Sequence, residues 1–244
     1  MPPARGRNSS LVQLTVASYN IHKAVGTDRR RDPARIVSVL RELDADIIAL
    51  QEADLRFGQR ASVLPRALLD DTPWKAVAVA KRPRSLGWHG NALLVRRGME
   101  IVDSEALDLP MLEPRGAACA DIANGKGAFR VVGTHLDLSG VRRSDQIRTI
   151  LAHLHRAHPD MPEILMGDFN QWSVRSGAMR VFDEKWQVLS PGPSFPSRRP
   201  IARLDRIALS PQWQVVGQGV HHSALSAQAS DHLPIWATVR LTKN

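Results

Sequence analysis

The residues that could do chemistry in this chain stand at the ends of short apolar runs. The stretch "EILMGDFNQW" presents Asp168 and Asn170 two positions apart after such a run. "ASYNIH" ends in Asn20 and His22 in the same way, and "IIALQE" ends in Glu52. A buried strand has no structural use for these groups, because burying a polar side chain costs free energy unless it is paired. They indicate a functional site where several strands end.

Three further runs end in the same kinds of residue. "VVGTHLDL" delivers His135 and Asp137, "RLDRI" delivers Asp205, and "SDHLPI" delivers Asp231 and His232. Side chains two apart on a strand share a face, so each such pair is expected to point the same way. If the strand ends converge, at least three carboxylates enter one cleft. Two ionised carboxylates about 4 Å apart repel by roughly 4 kcal/mol at an effective dielectric near 20, so this cluster needs a cation or shared protons.

Carboxylates beside an amide, without cysteine, suit Mg²⁺ or Mn²⁺ better than zinc. Mg²⁺ takes few protein carboxylates and keeps several waters, which is typical of a hydrolytic site. Histidines near such a metal offer a general acid, a general base or a cationic clamp on a phosphoryl oxygen, because imidazole titrates near neutral pH. The pattern predicts attack by water on a phosphorus atom.

The elements that must position these residues are mostly short strands. Strands are predicted in "QLTVASYNI", "DIIALQEA", "AVAVAK", "NALLVRR", "FRVVGTHLDL", "EILMGDFN", "RIALS" and "PIWATVRL", which are bounded by turn-forming or charged residues. A helix is predicted in "DPARIVSVLRELDA", with Asp32 as N-cap and Pro33 at its first position. A second is predicted in "RRSDQIRTILAHLHRAH". This order favours an α/β fold in which two sheets pack face to face and helices cover them.

Composition limits the protein's class and partners. The 244 residues support one domain, predicted over 11–244, after a basic, disordered tail at 1–10. Lys and Arg number 33 against 24 Asp and Glu, a net charge of +9, which favours partners such as nucleic acid, anionic lipid headgroups or phosphorylated small molecules. An excess of basic residues can also serve solubility alone, without any acidic partner.

Cysteine content and hydropathy indicate in which cellular compartment the protein is expected. Cys119 is the single cysteine, which excludes an internal disulfide framework and a cysteine-based zinc site, and we interpret it as a small buried residue. No apolar run approaches the roughly 18 residues of a membrane span. We therefore expect a soluble, cytoplasmic protein without a transmembrane segment.

Six motifs together resemble a known superfamily. "SYNIH", "LQE", "THLDL", "GDFN", "LDRI" and "SDHLPI", in this order from residue 16 to 236, resemble the endonuclease/exonuclease/phosphatase superfamily, which includes DNase I. The chain looks most like its compact bacterial metal-dependent hydrolases. The resemblance implies a DNase I-like four-layer sandwich, with two face-to-face mixed β-sheets flanked by helices.

The resemblance also implies roles around a metal. Glu52 would be the principal metal ligand, and Asn20 would lie beside the metal and the scissile phosphate. Asp168 would orient or deprotonate the attacking water, and Asn170 would donate a hydrogen bond to a phosphate oxygen. Asp231 would lie near the metal, directly or through water.

The histidines complete the implied machinery. His232 would act as a phosphate-binding cation or a base, with Asp205 fixing its tautomer and raising its pKa. His135 would protonate the leaving oxygen or stabilise the charge of the pentacoordinate state. Candidate substrate-binding residues are His22, Asn91, Arg115, Arg198 and Arg199.

The reaction class is better defined than the substrate. The abasic-site endonuclease branch carries a catalytic tyrosine in a "YxPNG"-like segment, which this chain lacks; its single tyrosine is Tyr19. We therefore expect a metal-dependent phosphodiesterase acting on a phospholipid headgroup or a nucleotide-type substrate. A Mg²⁺-dependent DNA endonuclease or exonuclease is the alternative, and a non-catalytic polyanion-binding protein would require a broken site. The leaving group, the number of metals and the oligomeric state stay open.

Overall fold

A computed structural model gives the fold. It describes residues 12–56, 58–110, 115–125, 127–157 and 160–242. The predicted tail at 1–10 lies outside the described residues.

Twelve strands form within this part of the chain. In chain order they are β1 Gln13–Asn20, β2 Ile47–Gln51, β3 Trp74–Ala76, β4 Ala92–Arg96, β5 Glu100–Asp108, β6 Gly116–Ala123, β7 Ala128–His135, β8 Glu163–Asp168, β9 Gln187–Leu189, β10 Asp205–Leu209, β11 Trp213–Val220 and β12 Ile235–Leu241.

The strands form two six-stranded mixed sheets. The first has the order β11-β12-β1-β2-β4-β3, and the second has the order β5-β6-β7-β8-β10-β9. The pairs β1–β2 and β7–β8 are parallel, and the other pairs are antiparallel. A parallel pair needs a crossover connection, and here α1 Pro33–Leu43 and α3 Gly140–Ala157 supply one each.

Helix α1 begins as its sequence predicts. The side chain of Asp32 accepts a hydrogen bond from the backbone N–H of Arg35, and Pro33 is the first helical residue. Two short helices, α2 Arg66–Asp70 and α4 Ser226–Ala229, complete the set described. Among the described residues, none of the helices has the length and apolar character needed to cross a membrane.

Alternation along the strands builds three apolar interfaces. On β1, Val16 faces the core between the sheets, while the neighbouring Ala17 faces α1. On β8, Met166 faces the same central core, and Leu165 packs with residues of α3. Helix, sheet, sheet and helix are thus stacked in four layers, as the sequence predicts.

Some strand predictions were wrong or incomplete. The run "AVAVAK" contributes only Ala76 to β3, although the N–H of Val77 still donates to the carbonyl oxygen of Leu93 on β4. Strands β5, β6, β9 and β11 were not predicted. β5 is largely exposed and has little apolar alternation, while β6 ("GAACADIA") is built mostly of small residues that have weak strand preference and are buried on both faces. Cys119 lies in β6 and is buried, as expected.

Candidate active site

The sheet register brings three predicted site residues to one edge. Asp168 is the last residue of β8, and its register partner on the parallel strand β7 is His135. Its partner on the antiparallel strand β10 is Asp205, the first residue of that strand. Strand pairing by itself therefore sets these three side chains side by side.

The carboxylate of Asp168 is the centre of the site. Its Oδ2 accepts a hydrogen bond from Nδ2 of Asn20 at 3.1 Å and lies 3.5 Å from Nε2 of His135 and 3.6 Å from Nε2 of His232. Its Oδ1 accepts a hydrogen bond from the backbone N–H of Asn170 at 2.9 Å. Burial acts to raise the pKa of Asp168, but His232 and His135 outweigh it, and the net pKa is lowered. Asp168 is thus a buried carboxylate that stays ionised.

His232 is held as a cation between two carboxylates. Its Nδ1 lies 3.0 Å from Oδ2 of Asp205, and that same oxygen accepts a hydrogen bond from Oγ of Ser194 at 2.5 Å. Burial alone would lower the pKa of His232, but Asp205 and Asp168 raise it to about 10. The proton on Nδ1 is directed at Asp205, so Nε2 is the nitrogen turned toward Asp168.

His135 has the opposite protonation state. Its ring is buried, and burial lowers its pKa to about 4 against the attraction of Asp168. The two imidazoles that face Asp168 are therefore a neutral His135 and a charged His232 at neutral pH. This difference separates their possible roles.

Glu52 lies at the mouth of an open cleft beside this cluster. The described residues that line this Glu52 cleft are Lys23, Glu52, Asp54, Leu55, Arg56, Arg60, His89, Gly90, Arg115 and His135. Nζ of Lys23 donates a hydrogen bond to Oε2 of Glu52. Burial acts to raise the pKa of Glu52, but His135 and Lys23 outweigh it and lower the net pKa.

Glu52 offers an oxygen donor of the kind that a hard divalent cation prefers. Its carboxylate side chain is 24% exposed and already attracts one cation, the ammonium of Lys23. Ligand atoms of Asp168, Asp205 and His232 also lie within 4.8 Å of one another. A protonated His232, however, already supplies the positive charge inside that group and cannot bind a metal through its protonated nitrogens.

A match to the sequence model of a protein family shows which family this chain belongs to. The model of the endonuclease/exonuclease/phosphatase family matches residues 17–232. This chain belongs to that family. Its members are phosphoester hydrolases and are typically dependent on a divalent metal.

Solved structures share the family fold at low identity. An endonuclease/exonuclease/phosphatase from Bacteroides vulgatus is 18% identical with a TM-score of 0.75, over 94% of this chain and 99% of that chain. The mannosyl-6-phosphatase of Bacteroides thetaiotaomicron VPI-5482 is 20% identical with a TM-score of 0.71, over 93% and 99%. D. rerio TDP2, complexed with a single strand DNA product, is 16% identical with a TM-score of 0.71, over 93% and 98%. None of the curated proteins matches this chain.

The strand alternation from which shared faces were predicted stops at the strand ends, although Asn20, His135 and Asp168 do come together. Strands β1 and β8 end at the first member of each pair, Asn20 and Asp168. Oδ1 of Asn20 accepts a hydrogen bond from the N–H of His22, as Oδ1 of Asp168 does from Asn170. These are Asx turns, in which a side-chain oxygen accepts a hydrogen bond from the backbone N–H two residues later. Each turn ends its strand. His22 and Asn170 consequently have positive φ, at +44° and +49°.

Asp137 follows the same pattern at the end of β7. Its Oδ1 accepts a hydrogen bond from the N–H of Ser139 at 2.8 Å, and its own N–H donates to Oε1 of Gln146. Asp137 therefore shapes the loop that enters α3. From the sequence, a face shared with His135 also made Asp137 a candidate for a catalytic role.

The predicted site residues Asp231, His22 and Asn91 differ in how deeply they are buried. Oδ1 of Asp231 is 3.9 Å from Nδ1 of His22, and both side chains are more than a third exposed. Asn91 is fully buried, and its Nδ2 donates to the carbonyl oxygens of Gly116 at 2.9 Å and Trp88 at 3.3 Å. Its amide thus ties β4 to β6, and its role toward substrate stays a prediction.

The three predicted arginines separate into two groups. Arg115 lines the Glu52 cleft with His135. Arg198 and Arg199 are exposed on a loop, where Nη2 of Arg198 donates to the carbonyl oxygen of Thr27 at 3.4 Å. The structure brings Arg115 to the cleft that His135 also lines, while the other two lie on the surface outside that lining.

Sequence reasoning missed Lys23 and Arg206. Arg206 is fully buried on β10 next to Asp205, and its Nη2 donates to the carbonyl oxygen of Gln171 at 2.9 Å. It thereby fixes the loop that follows Asp168. A charged residue inside the apolar run "RIALS" was the available signal, and for Lys23 the signal was its position directly after "NIH".

Proposed function

We propose that this protein is a divalent-metal-dependent phosphodiesterase that uses an activated water. One observation carries the proposal: Asn20, His135 and His232 converge on Oδ2 of Asp168. A buried, ionised carboxylate beside an open cleft can orient a water and accept its proton. We infer that Asp168 accepts a proton from the water as the water oxygen bonds to phosphorus; the bond to the leaving oxygen breaks with its electron pair on that oxygen, which takes up a proton from solvent.

The protonation states assign the two histidines. A charged His232 can donate a hydrogen bond from Nε2 to a non-bridging phosphoryl oxygen, where negative charge develops. His135, with a pKa of about 4, holds too little proton at neutral pH to serve as the acid. We therefore assign it the second of its two predicted roles, stabilising the charge of the pentacoordinate state through a neutral N–H.

We propose Mg²⁺ or Mn²⁺ as the cofactor, with Glu52 as the principal ligand and Asn20 and Asp231 beside it. A bound cation would neutralise phosphoryl charge and lower the pKa of a bound water. The oxygen ligands and the absence of cysteine from the cleft lining support this choice over zinc.

Hydrolysis of bis-p-nitrophenyl phosphate with Mg²⁺ or Mn²⁺ tests the proposal. Glu52→Ala and His232→Ala should each abolish turnover. Exposed residues of the same types supply matched controls, and Glu184→Ala and His155→Ala should leave turnover unchanged. Turnover that persists in both site variants would overturn the assignment, and a wild-type protein without turnover on any phosphoester would favour a non-catalytic polyanion-binding protein.

Exposed apolar side chains in the loops next to the site support a phospholipid or a nucleotide-type substrate. The loop after His135 exposes Leu138, and the loop after Asp168 exposes Trp172, with side chains 71% and 65% exposed. Arg143 joins the two loops, since its Nη1 donates to the carbonyl oxygen of Leu138 and its Nε to Oε1 of Gln171. These apolar side chains could contact the apolar part of a lipid or stack on a base.

A nuclease is the second candidate. The net charge of +9 favours a polyanion, and the similar fold of D. rerio TDP2 is seen with a single strand DNA product. Plasmid nicking and single-strand DNA cleavage, measured against cardiolipin and sphingomyelin cleavage, separate the two. A steep salt dependence of DNA affinity would show binding to phosphates but not catalysis.

A further inference from the structure

Three arginines stand among the described residues that line the Glu52 cleft. Besides Glu52, its lining includes the guanidinium groups of Arg56, Arg60 and Arg115, with Asp54 as the second carboxylate. Sequence reasoning singled out Arg115 but neither Arg56 nor Arg60. The role assigned to the catalytic side chains does not use these guanidinium groups.

The carboxylate of Asp54 accepts hydrogen bonds from a neighbouring loop. Its Oδ2 accepts a hydrogen bond from Oγ of Ser85, and its Oδ1 accepts one from the backbone N–H of Leu86 at 2.9 Å. Asp54 is buried. Asp54 is therefore committed to the loop that carries Ser85 and Leu86.

Arg60 is held in place by His89. Its Nη1 donates a hydrogen bond to Nδ1 of His89 at 2.9 Å. Burial and the nearby charge of Arg60 lower the pKa of His89, so the ring is neutral and can accept this bond. A guanidinium fixed in this way loses less conformational freedom when its remaining N–H groups bind an anion.

The turn that carries His89 packs directly against Glu52. His89 and Gly90 both have positive φ, at +49° and +80°. The carbonyl oxygen of Gly90 accepts a hydrogen bond from the N–H of Ala53, and a Cβ at Gly90 would lie 3.5 Å from Cα of Glu52. The anchor of Arg60 is therefore built onto the backbone that bears the proposed metal ligand.

Resting on the proposed function, we propose that the substrate carries a second anionic group, a phosphomonoester, which binds Arg60 together with Arg56 and Arg115. The scissile phosphoester would lie at Glu52 and Asp168. A guanidinium presents a planar fork that binds two phosphate oxygens at once. A phosphomonoester carries a charge of about −1.5 to −2 at neutral pH and three acceptor oxygens, which matches several guanidinium groups better than one carboxylate does.

Paired synthetic substrates test this subsite. Each pair consists of a p-nitrophenyl alkyl phosphodiester whose alkyl chain ends in a phosphate and the same ester ending in a hydroxyl, with chains of two, three and four carbons. We expect kcat/KM to be at least tenfold higher for the phosphate-ended ester at one or more chain lengths. Arg60→Gln should remove this preference while keeping hydrolysis of the hydroxyl-ended esters. No preference at any length, or a preference unchanged in Arg60→Gln, would overturn the subsite.

His89 is a positioning residue in this proposal, and its variants distinguish that role from general stability. His89→Gln keeps an acceptor for Arg60 and should retain most of the preference, whereas His89→Phe should lose it with little change on the hydroxyl-ended esters. Arg203→Gln, at an exposed arginine that donates to the carbonyl oxygen of Ser190, is the matched control. Equal preference in His89→Phe and the wild type would show that His89 does not position Arg60.

The two proposals fail in different ways. If the wild type hydrolyses none of the esters, the proposed function is wrong. Calorimetric titration with n-propyl phosphate then tests the subsite directly, because binding needs no turnover. Weaker binding in Arg60→Gln than in Arg203→Gln supports the subsite, and equal binding overturns it.

Discussion

Nδ1 of His232 lies 3.0 Å from Oδ2 of Asp205, a residue 27 positions earlier in the chain. The two side chains meet because β10 begins at Asp205 beside the end of β8. This pair keeps His232 charged and turns its other nitrogen toward Asp168. Asp205 is thus a positioning residue whose effect is measurable through the pH dependence of the reaction.

Asp205→Asn should move the basic limb of the pH–rate profile to lower pH. In the wild type a pKa of about 10 keeps His232 charged through pH 9, and activity falls only as pH rises through that value. Without the carboxylate the pKa moves toward the ordinary value near 6.5, so activity is lost at a lower pH. Because a pKa of 6.5 leaves about one imidazole in thirty protonated at pH 8, we expect kcat at that pH to fall by up to about 30-fold.

The control for this variant is Asp183→Asn, at an exposed carboxylate. It should reproduce the wild-type profile. A basic limb at the same pH in Asp205→Asn and the wild type would contradict the assigned cation.

His135 should make the protein less stable in acid. Its pKa is about 4 in the folded state and near 6.5 when unfolded, so the unfolded state takes up the proton first. Stability is therefore lost as pH falls from about 6.5 to 4, by about 3 kcal/mol for this group. Urea unfolding in EDTA should show this loss in the wild type but not in His135→Gln. Equal pH dependence of the two proteins would refute the neutral buried imidazole.

Lys23→Met should tighten the binding of Mn²⁺. The ammonium of Lys23 occupies an oxygen of Glu52, and its positive charge also repels a second cation nearby. We expect the dissociation constant measured by calorimetry to fall on the order of tenfold, while Glu52→Gln raises it. Lys185→Met, at an exposed lysine, is the control. Weaker or unchanged Mn²⁺ binding in Lys23→Met would show that Lys23 does not compete for this carboxylate.

Glu163→Gln should stabilise the protein at pH 8. Burial raises the pKa of Glu163 to about 7, against the attraction of Arg130. The ionised carboxylate therefore destabilises the fold, and stability falls as pH rises from about 4.5 through 7. Replacing it should recover about 1–3 kcal/mol at pH 8 and almost nothing at pH 4, as measured by urea unfolding. A variant less stable than wild type at pH 8 would contradict the raised pKa.

Gly167→Ala should destabilise the fold at the site itself. A Cβ at Gly167 would lie 1.9 Å from the carbonyl oxygen of Thr134 on the paired strand, a contact that forces the backbones of β7 and β8 apart. We expect a loss of about 2–4 kcal/mol in thermal or urea unfolding. Gly140→Ala is the control, since its Cβ would meet only the end of the Arg143 side chain at 3.5 Å. Comparable stability of both variants would disprove the close approach.

The sequence predicted most of the fold because alternation and capping are local signals. The run around Val16 alternates between two apolar environments, and Asp32 with Pro33 marks the start of α1. Strands β5 and β6 escaped because one is an exposed edge and the other is built from small residues. β5 pairs with β6 and β6 with β7, so both join the rest of the second sheet through β7, whose partner β8 lies beyond α3 in the chain.

The candidate site shows the same division. Residue types in "GDFN" and "SDHLPI" indicated the chemistry, and the pairing of His232 with Asp205 is confirmed. The reasons given for shared faces were wrong, because Asn20 and Asp168 end their strands through Asx turns instead of continuing them. Alternation describes a strand only as far as the strand extends.

By itself, the sequence determined the family, the layered fold and the oxygen and imidazole groups available for catalysis, because these follow from residue types and their order. Only the tertiary structure decided that His232 is charged and His135 neutral, that Lys23 pairs with Glu52, and that Arg60 is fixed by His89. Protonation and ion pairing depend on burial and on distances of a few ångströms. Those distances exist only after residues far apart in the chain have packed together.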